Sequence, residues 1–277
     1  MTSTPGDAAS DVYTHGHHTS VVSQHARRTA ERDAAYLLPM LRAGMRLLDV
    51  GCGPGTITTG LARAVAPGEV VGLDVVPGVL GEARAHLAST DLANVRFQEG
   101  SVYALPFADA SFDVVHMHQV MQHLARPADA AREAFRVLRP GGLLAVRDAD
   151  YATMIHWPRT PGIERWLELY HAVAHRNGAD PDMGRWLHAA VIEGGLDVVA
   201  SSATPMLFTA REDVLNWGDS WSERVVASAF ASQAVEYGLA TRAELEAISA
   251  DWRAWGRTPS PLFLYVNFEC VGMKPAV

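Results

Sequence analysis

The feature that most constrains this fold is a short apolar run that enters a cluster of glycines. Residues 46–50 are mostly apolar, carry an acid at Asp49, and lead into Gly51, Gly53 and Gly55. Such a run indicates a buried strand followed by a tight turn, because glycine adopts backbone conformations that a Cβ disfavours. A helix follows at once, so its free N–H groups would face a ligand bound at the end of the strand.

The same rhythm continues through the first half of the chain. Apolar strand candidates at 70–74, 95–98, 112–117 and 143–147 alternate with helical segments. Because the strand candidates lack alternating polarity, they predict a parallel sheet that is covered by helices on both faces. Ligands bind such sheets at the carboxyl ends of the strands, where we expect the functional residues.

The second half has a different composition, since all seven tryptophans lie between Trp157 and Trp255. Strand candidates at 196–200 and 262–271 are separated by a helical segment at 211–257. We therefore expect an α/β, Rossmann-like fold. Its seven-stranded, mostly parallel sheet should have helices on both faces and helical insertions after the fifth and sixth strands.

We divide the chain into an N-terminal lid or disordered leader at 1–25 and one domain at 26–277, with a first helix at 23–41. The cofactor core of this domain is expected at 40–150. The helical insertions at 149–192 and 209–257 are expected to cover the substrate.

Composition excludes several classes of protein. Apolar residues make up 48% of the 277 residues, which is enough for a full core, and the net charge of -8 comes without a basic stripe. We therefore expect no nucleic-acid partner. Two cysteines, Cys52 and Cys270, cannot build a disulfide framework or a thiolate zinc site, so we expect a cytoplasmic protein. No apolar stretch is long enough to span a bilayer, so we expect no membrane partner. The oligomeric state is left open.

The glycine spacing distinguishes between two nucleotide cofactors. Asp74 ends the second strand, where a carboxylate can accept hydrogen bonds from both ribose hydroxyls of an adenosine. A dinucleotide site needs a third glycine where this chain has Thr56. The tighter spacing of Gly51, Gly53 and Gly55 after an acid suits S-adenosyl-L-methionine, which has no pyrophosphate.

These residues resemble the class I S-adenosylmethionine-dependent methyltransferases, in the small-molecule branch typified by ubiquinone and menaquinone biosynthesis. The segments at 105–107, 111–115, 123–124 and 138–142 extend the resemblance over residues 40–150. It departs at Ser101, where the family commonly has an acid that receives the adenine amino group. The resemblance and the turn together imply that S-adenosyl-L-methionine is bound by the following residues: Tyr13, His18, Asp49, Gly51, Gly53, Gly55, Asp74, Val75, Ser101, Val102, His118 and His123.

Two side chains are candidates for catalysis. His118 ends the fourth strand, where the donor methyl group and the acceptor should meet, and a neutral imidazole there can take a proton from a phenol, thiol or amine. A wall residue that only hydrogen-bonds is the competing interpretation. Asp148 is the second candidate. We expect His116 to face away from His118, and we expect no metal, because no carboxylate cluster or cysteine completes a ligand set.

The acceptor is expected to have a flat, apolar body. Tyr151, His156 and Trp157 follow the fifth strand directly and are the candidates for binding it. The leading hypothesis is methyl transfer to a small molecule, with O-, N-, S- or C-methylation unresolved. The alternatives are a cyclase or isomerase that binds the same cofactor without consuming it, a regulatory binding module, and an NAD-dependent dehydrogenase.

Overall fold

The computed structural model describes residues 11–14, 16, 25 and 27–276. Their seven strands form one sheet in the order β3-β2-β1-β4-β5-β7-β6. β7 is antiparallel to both of its neighbours, whereas the other pairings are parallel. The strands are β1 (Leu47–Val50), β2 (Val70–Asp74), β3 (Val95–Glu99), β4 (Phe112–His118), β5 (Leu138–Trp157), β6 (Asp197–Phe208) and β7 (Leu262–Met273).

The helices follow the strands as expected for an α/β fold. Three single-turn 3₁₀ helices, at Leu38–Met40, Met121–His123 and Met183–Trp186, lie between the longer elements. Among the described residues the α-helices are α1 (Ala30–Asp33), α2 (Thr56–Val65), α3 (Pro77–Ala88), α4 (Pro127–Val137), α5 (Pro161–Arg176), α6 (Leu187–Glu193), α7 (Arg211–Ala227), α8 (Ala229–Glu236) and α9 (Arg242–Trp255). None of these helices is long and apolar enough to cross a membrane.

The predicted sheet, and the helical insertions after its fifth and sixth strands, are confirmed. β1 is buried at each of its four residues and β4 at six of seven, which explains why their sequences lack alternating polarity. The predicted helix at 23–41 is shorter in the described residues, where α1 and the 3₁₀ turn at Leu38–Met40 replace its second half.

Two strands are longer than expected. The predicted fifth strand ended at residue 147, but β5 continues to Trp157, and β6 reaches Phe208 rather than residue 200. Both extensions pair with β7: residues 262–264 pair with the end of β5 on one side, and residues 263–264 pair with the end of β6 on the other. Hydrogen bonds to β7 therefore continue beyond the point where the parallel neighbour β4 ends.

The core divides into three clusters. One packs α4 and α6 on one face of the sheet, and a second packs α1 and α2 on the other. The third lies under the insertions, where α5, α7, α8 and α9 bury Trp166, Trp221, Trp252 and Trp255. The second half of the chain thus builds its own aromatic core beside the end of β5 and the start of β7.

Candidate active site

The glycine turn after β1 opens toward a cavity. Gly51 has φ of +68° and Gly53 has φ of +53°. A Cβ at Gly51 would lie 2.5 Å from Cγ2 of Val120, so glycine is needed there to accommodate the Val120 side chain. A Cβ at Gly53 would meet nothing within 4 Å, yet Gly53 lines the cavity. Gly53 therefore leaves room for a ligand.

This cavity has a volume of about 540 Å³, which is within the range of small-molecule sites. It lies at the carboxyl ends of β1, β2 and β4, as expected for a parallel sheet. The sequence-predicted cofactor residues that line it are Tyr13, Asp49, Gly51, Gly53, Asp74, Val75, Ser101, Val102, His118 and His123. Gly55 lies behind the turn, where a Cβ would clash with Phe97, and His18 lies outside the described residues.

Asp74 is fixed at the rim of the cavity by two backbone donors. Its Oδ2 accepts a hydrogen bond from the Gly53 amide at 3.0 Å, and its Oδ1 accepts one from the Val76 amide at 3.1 Å. The carboxylate is thereby held between the glycine turn and the start of α3. Val75 lies beside it with 62% of its surface exposed. It also lines the cavity, so a ligand there could cover this apolar side chain.

The segment after β3 closes the same side of the cavity. The Ser101 hydroxyl accepts a hydrogen bond from the Tyr103 amide at 3.2 Å, so this side chain stabilises its own turn. Ser101 and Val102 both face the cavity. Their contact with adenine stays a prediction.

Asp49 is fully engaged by the protein. The Thr58 hydroxyl donates to its Oδ2 at 2.5 Å, and His116 Nδ1 lies 2.7 Å from its Oδ1. These partners hold the acid rigidly under the glycine turn. His116 was not among the predicted site residues, although its position on β4 directly beside Asp49 on β1 follows from the strand pairing.

His116 and His118 lie on the same side of β4. Their rings are stacked with centroids 6.4 Å apart. The expectation that they face opposite ways was wrong, since residues two apart in a strand share a face. Asp49, His116 and His118 thus form one buried polar row that leads into the cavity.

His118 is the most distinctive polar group in the cavity. It is 6% exposed, and neither of its ring nitrogens has a hydrogen-bond partner among the described residues. Burial, followed by the positive charge of Arg28, lowers its pKa well below the usual value. The ring is therefore neutral at physiological pH, with an available lone pair.

Sequence reasoning missed Arg28 and Gln119, which line the cavity beside His118. The Arg28 guanidinium donates a hydrogen bond to Oε1 of Gln119, and Nε2 of Gln119 donates to Oδ1 of Asn267 at 3.3 Å. Gln119 has φ of +52°, a left-handed conformation that is uncommon outside glycine. The three residues come from separate parts of the chain, so no local motif could have brought them together.

The described part of the N-terminal segment reaches this cavity. Tyr13 and His123 meet edge to face, with ring centroids 4.7 Å apart. Burial raises the pKa of Tyr13 to about 12 and lowers the pKa of His123 to about 3, so both side chains are neutral. The structure therefore brings Tyr13 and His123 together at the cavity, while a lid function for residues 1–25 stays a prediction.

Asp148 does not line the cavity. It lies on the opposite face of β5 from Arg147, because successive strand residues alternate, and its Oδ1 accepts a hydrogen bond from the Gln122 amide at 3.3 Å. Burial raises its pKa to about 8. The expectation that Asp148 acts as a second base beside His118 is corrected by this placement: the acid supports the 3₁₀ turn Met121–His123 from behind.

The three predicted substrate residues are spread along the extended part of β5. Tyr151 is buried and stacks on Tyr170, with centroids 4.6 Å apart. His156 Nε2 accepts a hydrogen bond from the Thr160 amide, and Trp157 is 64% exposed. None of the three lines the cofactor cavity, because β5 carries them away from it at about 3.3 Å per residue. Their role toward an acceptor stays a prediction.

A second groove, of about 740 Å³, lies near His156 between the end of β5 and α5. Its charged side chains include Glu164, which pairs with Arg159, and His171, which pairs with Asp182. Within the described residues no cluster of three or more His, Cys, Asp or Glu side chains could hold a metal ion. Among the residues that line the first cavity, His118 has both ring nitrogens buried without a partner in the described structure.

Comparison with known proteins connects this cavity to a family. A family model described as a methyltransferase domain matches residues 41–190. An uncharacterized methyltransferase of Schizosaccharomyces pombe is 34% identical over 213 residues, which cover 74% of this chain and 76% of that protein. A demethylmenaquinone methyltransferase of Lactococcus lactis is 36% identical over 128 residues, which cover 46% of this chain and 48% of that enzyme.

Solved structures show the same fold. A [4+2]-cyclase superposes with a TM-score of 0.55 and 21% identity, covering 97% of this chain and 89% of that one. At this identity the likeness concerns the fold alone. The family match, the relatives and a glycine turn that leaves space for a ligand agree with one another. The chain belongs to the class I S-adenosylmethionine-dependent methyltransferases of the ubiquinone and menaquinone type.

Proposed function

We propose that this methyltransferase methylates a small organic acceptor that meets the methyl group beside His118. The observation that carries the proposal is the imidazole of His118, which is buried at the carboxyl end of β4 with neither nitrogen partnered among the described residues. An unsatisfied buried polar group costs about 1–3 kcal/mol unless a ligand completes its hydrogen bonds. His118 therefore has a place for the polar atom of an acceptor.

The residues present fit S-adenosyl-L-methionine. Asp74 would accept hydrogen bonds from the ribose hydroxyls, and Val75 would gain an apolar cover from the adenine. The space over Gly53 would admit the methionine end, with Tyr13 closing over it. The bound cofactor supplies an electrophilic methyl group on a sulfonium, so the protein's main task is to align the acceptor and exclude water.

His118 suits the alignment step. Because its pKa is well below the usual value, the ring accepts a hydrogen bond from the acceptor's O–H, N–H or S–H more readily than it keeps a proton. It would orient the nucleophile toward the methyl group by accepting this hydrogen bond, and the proton released on methylation would pass on to solvent rather than stay on the ring. We expect no comparable part for Asp148, which lies behind the 3₁₀ turn.

The cavity also favours an acceptor with an apolar, aromatic body. Apolar side chains such as Ile57, Val120 and Leu124 line it together with the rings of Tyr13 and Tyr103. Rings of this kind hold flat molecules by stacking and by edge contacts. The atom that receives the methyl group, whether O, N, S or C, is left to experiment.

The test is release of S-adenosylhomocysteine across a panel of phenols, thiols, amines and carboxylates. We expect His118→Asn to lower turnover of the best acceptor about a hundredfold, while cofactor affinity stays within about twofold. His188→Asn, on the exposed face of α6, is the matched control and should behave like the unmodified enzyme. Unchanged turnover in His118→Asn would contradict the role of His118, and acceptor consumption without S-adenosylhomocysteine would indicate the cyclase or isomerase instead.

Three further expectations belong to this proposal. The excess of acids over bases supports a small-molecule partner and the absence of nucleic acid. The two free, buried cysteines support a cytoplasmic location. The oligomeric state is left open.

A further inference from the structure

We infer that Asn177 and Gln233 are positioning residues for cofactor binding, because their hydrogen bonds to the N-terminal segment hold Tyr13 at the cofactor cavity. Neither amide lines the cavity. They come from the two helical insertions, since Asn177 directly follows α5 and Gln233 lies on α8. The inference rests on that part of the proposed function in which Tyr13 covers the methionine end of the cofactor. It gives the insertions a part in cofactor binding besides their aromatic core.

The N-terminal strap, by which we mean residues 11–14 and 16, contacts the cofactor half of the molecule on one side. The Ala125 amide donates a hydrogen bond to Oδ1 of Asp11 at 3.1 Å. Tyr13 lines the cavity and meets the ring of His123 edge to face. These contacts bring the strap to the rim of the cavity, beside the 3₁₀ turn Met121–His123.

The insertions hold the other side of the strap. Nδ2 of Asn177 donates a hydrogen bond to Oγ1 of Thr14 at 2.9 Å, and Thr14 is only 1% exposed. Nε2 of Gln233 donates to the carbonyl oxygen of Tyr13 at 3.4 Å. Gly16 packs against the first turn of α8 so closely that a Cβ would clash there. The strap therefore bridges the cofactor cavity and the insertions.

The two side-chain amides also have a defined orientation. The Tyr237 hydroxyl donates a hydrogen bond to Oδ1 of Asn177 at 2.7 Å, so the nitrogen of this amide is the atom that faces Thr14. The same nitrogen donates to Oε1 of Gln233 at 2.9 Å, which leaves the nitrogen of Gln233 for the carbonyl of Tyr13. Donors that are already oriented lose less rotamer entropy when they hold the strap.

This network determines where Tyr13 lies. The peptide group between Tyr13 and Thr14 is held through its carbonyl oxygen, and the Thr14 side chain is held next to it. The ring of Tyr13 is thereby kept at the cavity before a ligand arrives. A binding residue that is ordered in advance loses less conformational freedom on binding, so the network should raise cofactor affinity without touching the cofactor.

Calorimetry with S-adenosylhomocysteine tests this role. Asn177→Leu keeps the approximate shape of the side chain but removes its donor, and Thr14→Val removes the hydroxyl that receives the hydrogen bond. We expect each variant to bind about three- to tenfold more weakly, as for the loss of one hydrogen bond. Thr14→Ser keeps the hydroxyl and should restore the affinity. Asn216→Leu removes an amide from α7 that does not line the cavity, and it should match the unmodified protein.

A second measurement asks whether the network acts through Tyr13. In Tyr13→Ala the side chain that the network positions is missing, so adding Asn177→Leu should weaken binding by less than a further twofold. A purely structural role of Asn177 would give the same loss with and without the Tyr13 ring.

The inference is overturned if Asn177→Leu and Thr14→Val bind S-adenosylhomocysteine normally, if Asn216→Leu is weakened as much, or if the loss persists in Tyr13→Ala. All of these outcomes are read from S-adenosylhomocysteine binding. Failure of the proposed function gives a different result, because the unmodified protein would then bind S-adenosylhomocysteine but methylate no acceptor of the panel.

Discussion

The glycine-rich half and the tryptophan-rich half of this chain differ in what their characteristic residues face. Gly53, Asp74 and His118 all line one cavity. Gly53 leaves open space there, and the ring nitrogens of His118 have no hydrogen-bond partner among the described residues. Trp166 and Trp252 are fully buried and face each other, with ring centroids 5.1 Å apart. The characteristic residues of the glycine-rich half therefore line a ligand cavity, whereas the buried tryptophans of the other half form its hydrophobic core.

This difference shows that most tryptophans of the second half belong to a hydrophobic core. Two tyrosines show the same contrast. Tyr13 lines the cofactor cavity, whereas Tyr151 on β5 belongs to the aromatic core. The end of β5 and the start of β7 pack against that core. The insertions thus form a core of their own, to which their tryptophans contribute through packing.

The largest effect is expected in the aromatic core. Trp166→Ala would leave a large void between Trp221 and Trp252, and we expect the free energy of unfolding to fall by about 3–5 kcal/mol. Denaturant unfolding measures the change. Trp186→Ala, at a half-exposed position, provides the control and should cost far less. A small loss for Trp166→Ala would mean that the tryptophans do not form the core of this half.

The next effect is expected in the glycine turn. Gly53→Val would place a branched side chain in the space over the turn and strain a left-handed residue, so affinity for S-adenosylhomocysteine should fall on the order of a hundredfold. Gly141→Val carries the same backbone strain, with φ of +76° and equally open surroundings, but lies outside the cavity. Its calorimetric affinity should be normal. Equal losses in both variants would point to strain rather than to a blocked site.

The next effect, which is smaller within any one pH unit, concerns the acid behind the cavity. The pKa of Asp148 is about 8 in the fold and 3.8 in an unperturbed chain. Between these values the folded chain holds a proton that the unfolded chain has released, so this acid lowers stability as pH rises. Asp148→Asn should therefore gain stability relative to the unmodified protein from pH 5 to 8, by up to about 1.4 kcal/mol per pH unit.

Thermal unfolding at several pH values measures this gain. Asp91→Asn, in an exposed turn, removes the same charge without burial and should show no comparable trend. A constant difference between Asp148→Asn and the unmodified protein across the pH range would contradict the raised pKa of Asp148.

The smallest effect is expected at Trp157. Its side chain is 64% exposed and does not line the cavity, so Trp157→Ala should change both cofactor affinity and acceptor kinetics by no more than about twofold. Steady-state kinetics with the best acceptor of the panel provides the measurement. A selective rise in the acceptor's KM would mean that Trp157 contacts the acceptor. It would contradict the conclusion that ligand binding belongs to the glycine-rich half alone.

The sequence predicts the first half of the molecule well because the determining signals are local. The glycine turn and Asp74 lie within a few residues of the strands that place them, and both reach the cavity as expected. The length of β5 is not local, since it depends on pairing with β7 more than a hundred residues later. The position of Arg28 in the cavity also depends on a distant part of the chain, because its partner Gln119 lies 91 residues away.

Hydrogen exchange with and without S-adenosylhomocysteine tests the central claim most directly. If the cofactor binds in the glycine-rich half, protection should rise at residues 51–55, 74–76 and 118–120, and at Arg28. It should stay unchanged in α5 and α9, whose buried faces belong to the aromatic core. Protection confined to the groove near His156, with none at the glycine turn, would contradict the account.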